Sequence, residues 1–204
     1  MDPAHYFSAQ PAVPDVRRPL AVVLDGQERS LETSAGIFSP DGVDKGTAVL
    51  LAEAPNPASD GALLDIGCGW GPLALTMALR SPGAVVHAVD VNERSLSLTA
   101  ANARRLGLTN VRPALPEAVP ADVRFATIWS NPPIRIGKEA LHDLLLLWLP
   151  RLAVGGTAWL VVQKNLGADS LQRWLEEELG DAFDVAREAT SKGFRLLRVT
   201  RRAD

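Results

Sequence analysis

Cysteine is almost missing from this 204-residue chain, with Cys68 standing alone. One thiol cannot close an internal disulfide, so nothing here is a disulfide scaffold, and a reducing compartment suits it. Positive charge is also short. A net charge of −3 and a pI of about 5.7 exclude a protein coated in basic surface for indiscriminate nucleic-acid binding, while leaving room for a basic rim around one pocket. No long apolar run is present. The longest, residues 144–149, is far too short to span a bilayer. The first residues lack the basic stretch and apolar run of a secretory leader, so a cytoplasmic location is expected. His5, His87 and His142 show no ligand spacing, so no metal is expected. Repeats and low-complexity segments are absent. What remains, 47% hydrophobic and 22% charged residues, is the composition of an ordinary globular chain with enough length to bury one α/β core.

Residues 1–19 are punctuated by Pro3, Pro11, Pro14 and Pro19 and read as irregular. Alternating runs at 20–24 and 29–33 flank Asp25-Gly26, a hairpin turn signal because glycine tolerates positive φ. A short apolar helix opens at Gly46-Thr47 and ends near Pro55, and residues 55–61 form a loop. Strand–helix alternation begins at residue 62. Strands are expected at 63–66, 84–90, 111–115, 125–130 and 157–163. Helices are expected from Pro72 to about residue 80, from 93 to 106 behind an Asn92 cap, from about Lys138 until Pro150 stops it, and behind an Asp169 cap. In the 93–106 helix Leu96, Ala100 and Ala103 share a face. Two closing strands, 183–189 and 194–200, are joined at Lys192-Gly193. With no helix between them they must pair antiparallel. The expected fold is α/β: a seven-stranded, mostly parallel sheet with an antiparallel last strand, covered on both faces, with an N-terminal β-hairpin. The antiparallel ending distinguishes an S-adenosylmethionine (SAM) type of Rossmann-like sheet from a nicotinamide-binding one.

Asp65-Ile66-Gly67-Cys68-Gly69-Trp70-Gly71 follows the first core strand. Gly67 and Gly69 let backbone approach a ligand, and Gly71 lets the next helix start tightly. The spacing is neither the dinucleotide fingerprint nor a P-loop. Asp90, at the end of the next strand, can accept both hydroxyls of a ribose. NAD and SAM both carry that ribose, so Asp90 alone does not choose between them. Asp65 suits a cationic amino group such as that of methionine and would repel a pyrophosphate. Cys68 and Trp70 read as packing residues within the turn.

Ser130-Asn131-Pro132-Pro133-Ile134 ends the fourth strand, which neighbours the first in this topology and so faces the same cleft. An amino group conjugated to a π-system is a poor nucleophile because its lone pair is delocalised. The Asn131 side-chain carbonyl and the Pro132 backbone carbonyl can each accept one of its N–H groups. That directs the lone pair and aligns donor with acceptor, so proximity carries most of the catalysis and no strong base is needed.

Together these segments resemble the RsmC-like, small-domain class I rRNA guanine-N2 methyltransferases. The likeness extends to His5-Tyr6-Phe7-Ser8, to residues 36–47, to Gly155-Gly156, to residues 163–167 and to Lys192-Gly193-Phe194. The resemblance implies an N-terminal extension over residues 1–60 packed on a SAM-dependent methyltransferase domain over residues 61–204. It implies SAM as cofactor, held by Phe38, Asp65, Gly67, Cys68, Gly69, Gly71, Asp90 and Val91, with Ser39 at the entrance. Asn131, Pro132, Pro133 and Ile134 would grip the target base, and ribosomal RNA or a small-subunit particle would be the partner. Arg135, Lys138 and Lys164 would meet phosphates, and the basic tail around Arg198, Arg201 and Arg202 reads as solvated. Two departures stand out. The residue after Asn-Pro-Pro is usually aromatic and stacks on the flipped base; here it is Ile134, which leaves Trp70 and Trp129 as candidate stackers. The usual acid after the third strand is replaced by Pro116-Glu117, which makes Glu117 the candidate adenine contact. Glutamine-amide or adenine-N6 methylation, a non-catalytic SAM-binding assembly factor and a nicotinamide oxidoreductase are the alternative readings.

Overall fold

The computed structural model describes residues 13–203; the His5–Ser8 segment and the prolines at 3 and 11 lie outside the described residues. Two strands, β1 (Arg18–Leu24) and β2 (Gln27–Thr33), form the hairpin. Its turn carries Asp25 at φ 50° and Gly26 at φ 72°, the paired positive φ that matches the twist of a two-residue hairpin. The hairpin is tied to the core through Asn102, whose Oδ1 accepts the Glu32 N–H at 2.7 Å while its Nδ2 donates to the Glu32 and Trp70 carbonyls at 3.0 Å each. Helix α1 (Lys45–Glu53) follows, capped by Asp44.

The central sheet holds seven strands. They are β3 (Ala62–Ile66), β4 (Val85–Val89), β5 (Val111–Ala114), β6 (Phe125–Ser130), β7 (Leu152–Gln163), β8 (Phe183–Ser191) and β9 (Phe194–Arg201), in the spatial order β5-β4-β3-β6-β7-β9-β8. β9 alone runs against its neighbours, being antiparallel to both β7 and β8. Strand order reverses between β3 and β6, so their carboxyl ends flank a crevice. Helices α2 (Pro72–Arg80) and α3 (Glu93–Arg105) join α1 and the hairpin around one core, with Leu63, Trp70, Leu75, Leu98 and Leu196 buried. Helices α4 (Lys138–Trp148) and α5 (Ala168–Leu179) cover the other face through Leu64, Ile66, Leu145, Trp148 and Leu175. Adjacent residues of one strand, such as Leu63 and Leu64, thus serve opposite cores, which is why these strands read as continuous apolar runs.

Two expectations are corrected. Asp169 does not cap α5. Gly167, in the left-handed conformation at φ 93°, holds the cap position, and Asp169 sits in the first turn paired with Arg187 and the nearly buried Arg195. An otherwise uncompensated guanidinium inside the fold outweighs a cap that glycine already fills. β7 starts five residues earlier than 157. Gly155 and Gly156 lie within the strand: a Cβ on Gly156 would stand 2.7 Å from the Phe125 carbonyl oxygen, so close strand approach requires it, whereas Gly155 has open space around it and a left-handed φ of 75°. On α3 Leu96, Ala100 and Ala103 share a face, with Ala103 in the core and Leu96 packed against it, and the most deeply buried side also carries Ser95, Leu98, Thr99 and Asn102. Buried hydrogen bonds from Thr99 and Asn102 make that polar face an inward one.

Candidate active site

A cavity of about 710 Å³ opens at the carboxyl ends of β3, β4 and β6, within the range of small-molecule and cofactor sites. A narrow recess of about 20 Å³ adjoins it under the segment following the hairpin. Phe38, Asp44, Gly67 and Asn131 line both.

The glycine turn builds the recess. Gly67 (φ 78°) and Gly69 (φ 57°) are left-handed, and a Cβ on Gly67 would meet nothing within 4 Å, so their backbone is open to a ligand rather than packed. Gly71 is different. It is the N-cap of α2 at φ 99°, and a Cβ there would press on Thr99 at 3.0 Å, so it serves helix placement. Cys68 is buried in the recess wall, its thiol pushed well above its usual pKa by burial, which makes it inert packing. Trp70 is buried as well and donates from Nε1 to the Ser39 carbonyl at 3.1 Å.

Three acids line the site, Asp44, Asp65 and Asp90. Asp90 Oδ2 accepts the Gly69 N–H and Oδ1 accepts the Asn92 N–H, each at 2.9 Å. Each oxygen keeps a lone pair for a further donor. Burial raises its pKa against those bonds. Asn92 caps α3 and also donates to the Gly36 carbonyl at 2.9 Å, which anchors the 36–44 segment over the site. Asp65 is fully buried. Its Oδ2 accepts the Ala74 N–H at 2.9 Å, whereas Oδ1 has no partner. Burial first, then the neighbouring charge of Asp90, pushes its pKa up to about 8. A buried carboxylate oxygen without a donor is costly, and it fits a cationic group entering the recess.

The Asn-Pro-Pro turn forms the other half. Ser130 Oγ donates to the Ile66 carbonyl at 2.9 Å and holds the end of β6 against β3. Asn131 Nδ2 donates to Asp44 Oδ2 at 3.0 Å and to Thr47 Oγ1 at 3.1 Å. Asp44 in turn caps α1 by accepting from the Gly46 and Thr47 N–H groups. With both amide protons engaged, Asn131 has only its Oδ1 carbonyl left, and that atom can only accept. The Pro132 carbonyl already accepts the Ile134 N–H at 2.9 Å, leaving one lone pair. Nothing in the local pattern of residues 44–47 announced contact with residue 131; Asp44 is legible from sequence only as a helix cap.

The remaining expected residues are placed unevenly. Val91, Pro133, Ile134 and Arg135 line the large cavity. Glu117 does not; it is exposed in a short turn, and its neighbour Pro116 lines the cavity instead. Trp129 lies fully inside the core and Trp70 borders only the recess, so neither offers a stacking face to the large cavity. Phe194, at the start of β9, does line it. Lys138 and Lys164 stand exposed at the rim. All four lysines of the chain lie at this end of the sheet. Lys45 opens α1 beside Asp44, Lys138 opens α4, Lys164 follows β7, and Lys192 sits in the β8–β9 turn, whose Gly193 carbonyl accepts the Lys164 N–H at 2.9 Å.

Known proteins resemble this chain in sequence and fold. Residues 28–198 match the methyltransferase small domain family. The Bacillus subtilis protein YbxB, named as uncharacterized, is 34% identical over 95% of this chain and 96% of its own length. Ribosomal RNA small subunit methyltransferase C of Cronobacter sakazakii is 29% identical over 82% of this chain but 49% of its own length. Among solved structures, the Thermus thermophilus 16S rRNA N2 G1207 methyltransferase RsmC, in complex with AdoMet and guanosine, superposes with a TM-score of 0.76 at 24% identity over 94% of this chain and 52% of that one. A ribosomal protein L11 methylase from Lactobacillus delbrueckii superposes at 0.63 with 19% identity over 90% of this chain and all of that one. The chain therefore spans nearly all of YbxB and about half the length of the RsmC proteins, and its fold is shared by a 16S rRNA methyltransferase and a ribosomal protein L11 methylase.

Proposed function

The chain belongs to the methyltransferase small domain family, and from that premise we propose that it transfers a methyl group from SAM to the exocyclic N2 of guanine in ribosomal RNA. The observation that carries the reading is the amide of Asn131, held by Asp44 and Thr47 so that only an acceptor faces the target. An acceptor at that position grips a conjugated amino group and draws its lone pair out of the π-system.

The residues present fit SAM. The two oxygens of Asp90 match vicinal ribose hydroxyls, the unpartnered Asp65 Oδ1 matches the methionine ammonium, and the open left-handed backbone of Gly67 and Gly69 lets the chain run close to the ligand. SAM supplies an activated methyl on a sulfonium. The protein aligns the amino nitrogen with it through Asn131 and the free lone pair of the Pro132 carbonyl. The amino proton is lost to solvent late; among the described residues the carboxylate beside Asn131 is that of Asp44, which is engaged with the Asn131 amide and the Gly46 and Thr47 N–H groups. Arg135, Lys138 and Lys164 are the groups that meet phosphates of the nucleic acid.

Adenine-N6 and protein glutamine offer the same kind of amino group, and Ile134 in place of an aromatic leaves the choice to the rest of the pocket. Tritiated SAM incubated with the protein and, separately, 30S particles, naked 16S rRNA, DNA and release factors resolves this. Label in rRNA, recovered as N2-methylguanosine by nucleoside mass spectrometry, is the expected result; label confined to protein or DNA would overturn the guanine assignment.

A further inference from the structure

We propose that Phe194 is the stacking wall for the target base, taking the role vacated by Ile134, and that Gly46 exists to let it do so. The inference rests on the reading above that the large cavity receives a planar amino substrate. Three observations carry it. Three aromatic residues line the large cavity, Phe38, Trp148 and Phe194; Trp148 is fully buried in the core, Phe38 has its carbonyl over the glycine turn, 3.9 Å from a Cβ on Gly69, and Phe194 is the one whose ring edge adjoins the Asn131 amide. It is only half-buried, so part of the ring faces space rather than core. A Cβ on Gly46 would stand 3.0 Å from Phe194 Cε1 and 3.2 Å from both Asn131 Oδ1 and Nδ2. Ring edge and amide therefore flank the same point, and a base whose amino group meets Asn131 Oδ1 lies within reach of the ring.

Gly46 has an ordinary φ, so backbone freedom does not explain it; clearance does. Helix α1 packs across β7 and β9, and its N-terminus sits between the Phe194 ring and the Asn131 amide, so that any side chain at Gly46 displaces one or the other. The pairing of Gln163 with Phe194 across β7 and β9 fixes the ring's height at the sheet end. One turn of α1 thus serves the target twice, orienting Asn131 through Asp44 and Thr47 and leaving room for Phe194 through Gly46.

The test is a set of variants, Phe194→Leu, Phe194→Tyr and Gly46→Ala, assayed for methyl transfer to rRNA, for SAM affinity by calorimetry and for melting temperature. Base–aromatic stacking predicts a fall of about 5- to 150-fold in kcat/KM for Phe194→Leu, with SAM affinity unchanged and activity restored in Phe194→Tyr. Gly46→Ala should lower kcat as well. Full activity of Phe194→Leu, or a loss that parallels weakened SAM binding and lowered melting temperature in both Phe194 variants, overturns the assignment. A second measurement is independent of the RNA reading. With ring-labelled phenylalanine and S-adenosylhomocysteine bound, guanosine and adenosine should show intermolecular NOEs to a Phe ring that vanish in Phe194→Leu. Absence of these NOEs in the wild-type protein overturns the stacking role, whereas their presence beside a wild-type protein that labels no RNA keeps the role and removes only the RNA substrate.

Discussion

Replacing Asp65 by Asn should separate stability from ligand binding. In the folded protein without ligand Asp65 has one bonded oxygen and one orphan, and its pKa rises from 3.8 to about 8, chiefly through burial. A carboxyl whose folded pKa is raised stabilises the fold in its neutral form. Its contribution is whole below about pH 4 and is lost as the pH climbs through 8. The slope is about 1.4 kcal/mol per pH unit, so between pH 5.5 and 7.5 the wild-type protein should lose roughly 2.5 kcal/mol from this group, about 5–10 °C in Tm for a domain of this size. Asn keeps the acceptor for the Ala74 N–H and removes the titration. Other carboxylates titrate alike in both proteins, so the difference in Tm between Asp65→Asn and wild type, measured by calorimetry at both pH values, isolates Asp65. It should favour the mutant increasingly as pH rises. The same change should weaken SAM roughly 10- to 100-fold at pH 8, the worth of one charge-assisted bond. In the wild type, affinity should increase with pH between 6 and 8 by up to about tenfold per unit, with proton release on binding. A Tm difference independent of pH would refute the raised pKa, and wild-type SAM affinity in Asp65→Asn would refute its role opposite the ammonium.

Asp90→Ala removes the acceptor for two hydroxyls and for the Gly69 and Asn92 N–H groups; SAM affinity should fall by about 100-fold or more in calorimetry. Asn131→Ala should lower kcat by at least 100-fold while leaving SAM affinity within about twofold. Asp44→Ala acts one step back. It releases the Asn131 amide, so kcat should fall about 10-fold or more with little change in SAM affinity, and Asp44→Asn, which can still accept from Nδ2, should recover part of it. Neutralising Arg135, Lys138 and Lys164 together to Gln should raise KM for rRNA and flatten the dependence of log K on log salt by about 2, with kcat at saturating substrate nearly intact; an unchanged salt slope would remove these three from the RNA path.

What the sequence determined by itself is local. The positive-φ turns at Asp25-Gly26 and Lys192-Gly193, the glycine turn at 67–71, the Asn92 cap and the two prolines after Asn131 all act within four or five residues, where backbone sterics and short-range hydrogen bonds leave few options. Alternation of strands and helices then brings the ends of β3, β4 and β6 together, because parallel strands with right-handed crossovers have little choice of arrangement. The order in which distant side chains meet was decided only by tertiary packing. Asn131 is oriented by residues 84 and 87 positions away in the chain, and Phe194 reaches the same corner from the last strand. Glu117 follows the expected strand but its short turn carries it off the cavity, and Asp169 leaves a helix cap to neutralise a buried arginine. Asp65 was legible as an acid in a glycine turn, yet that one of its oxygens is buried without a donor depends on what surrounds it in three dimensions. Chemistry within a turn is specified by its own residues; which groups are left unsatisfied, and therefore free to hold a ligand, is settled by everything that packs around them.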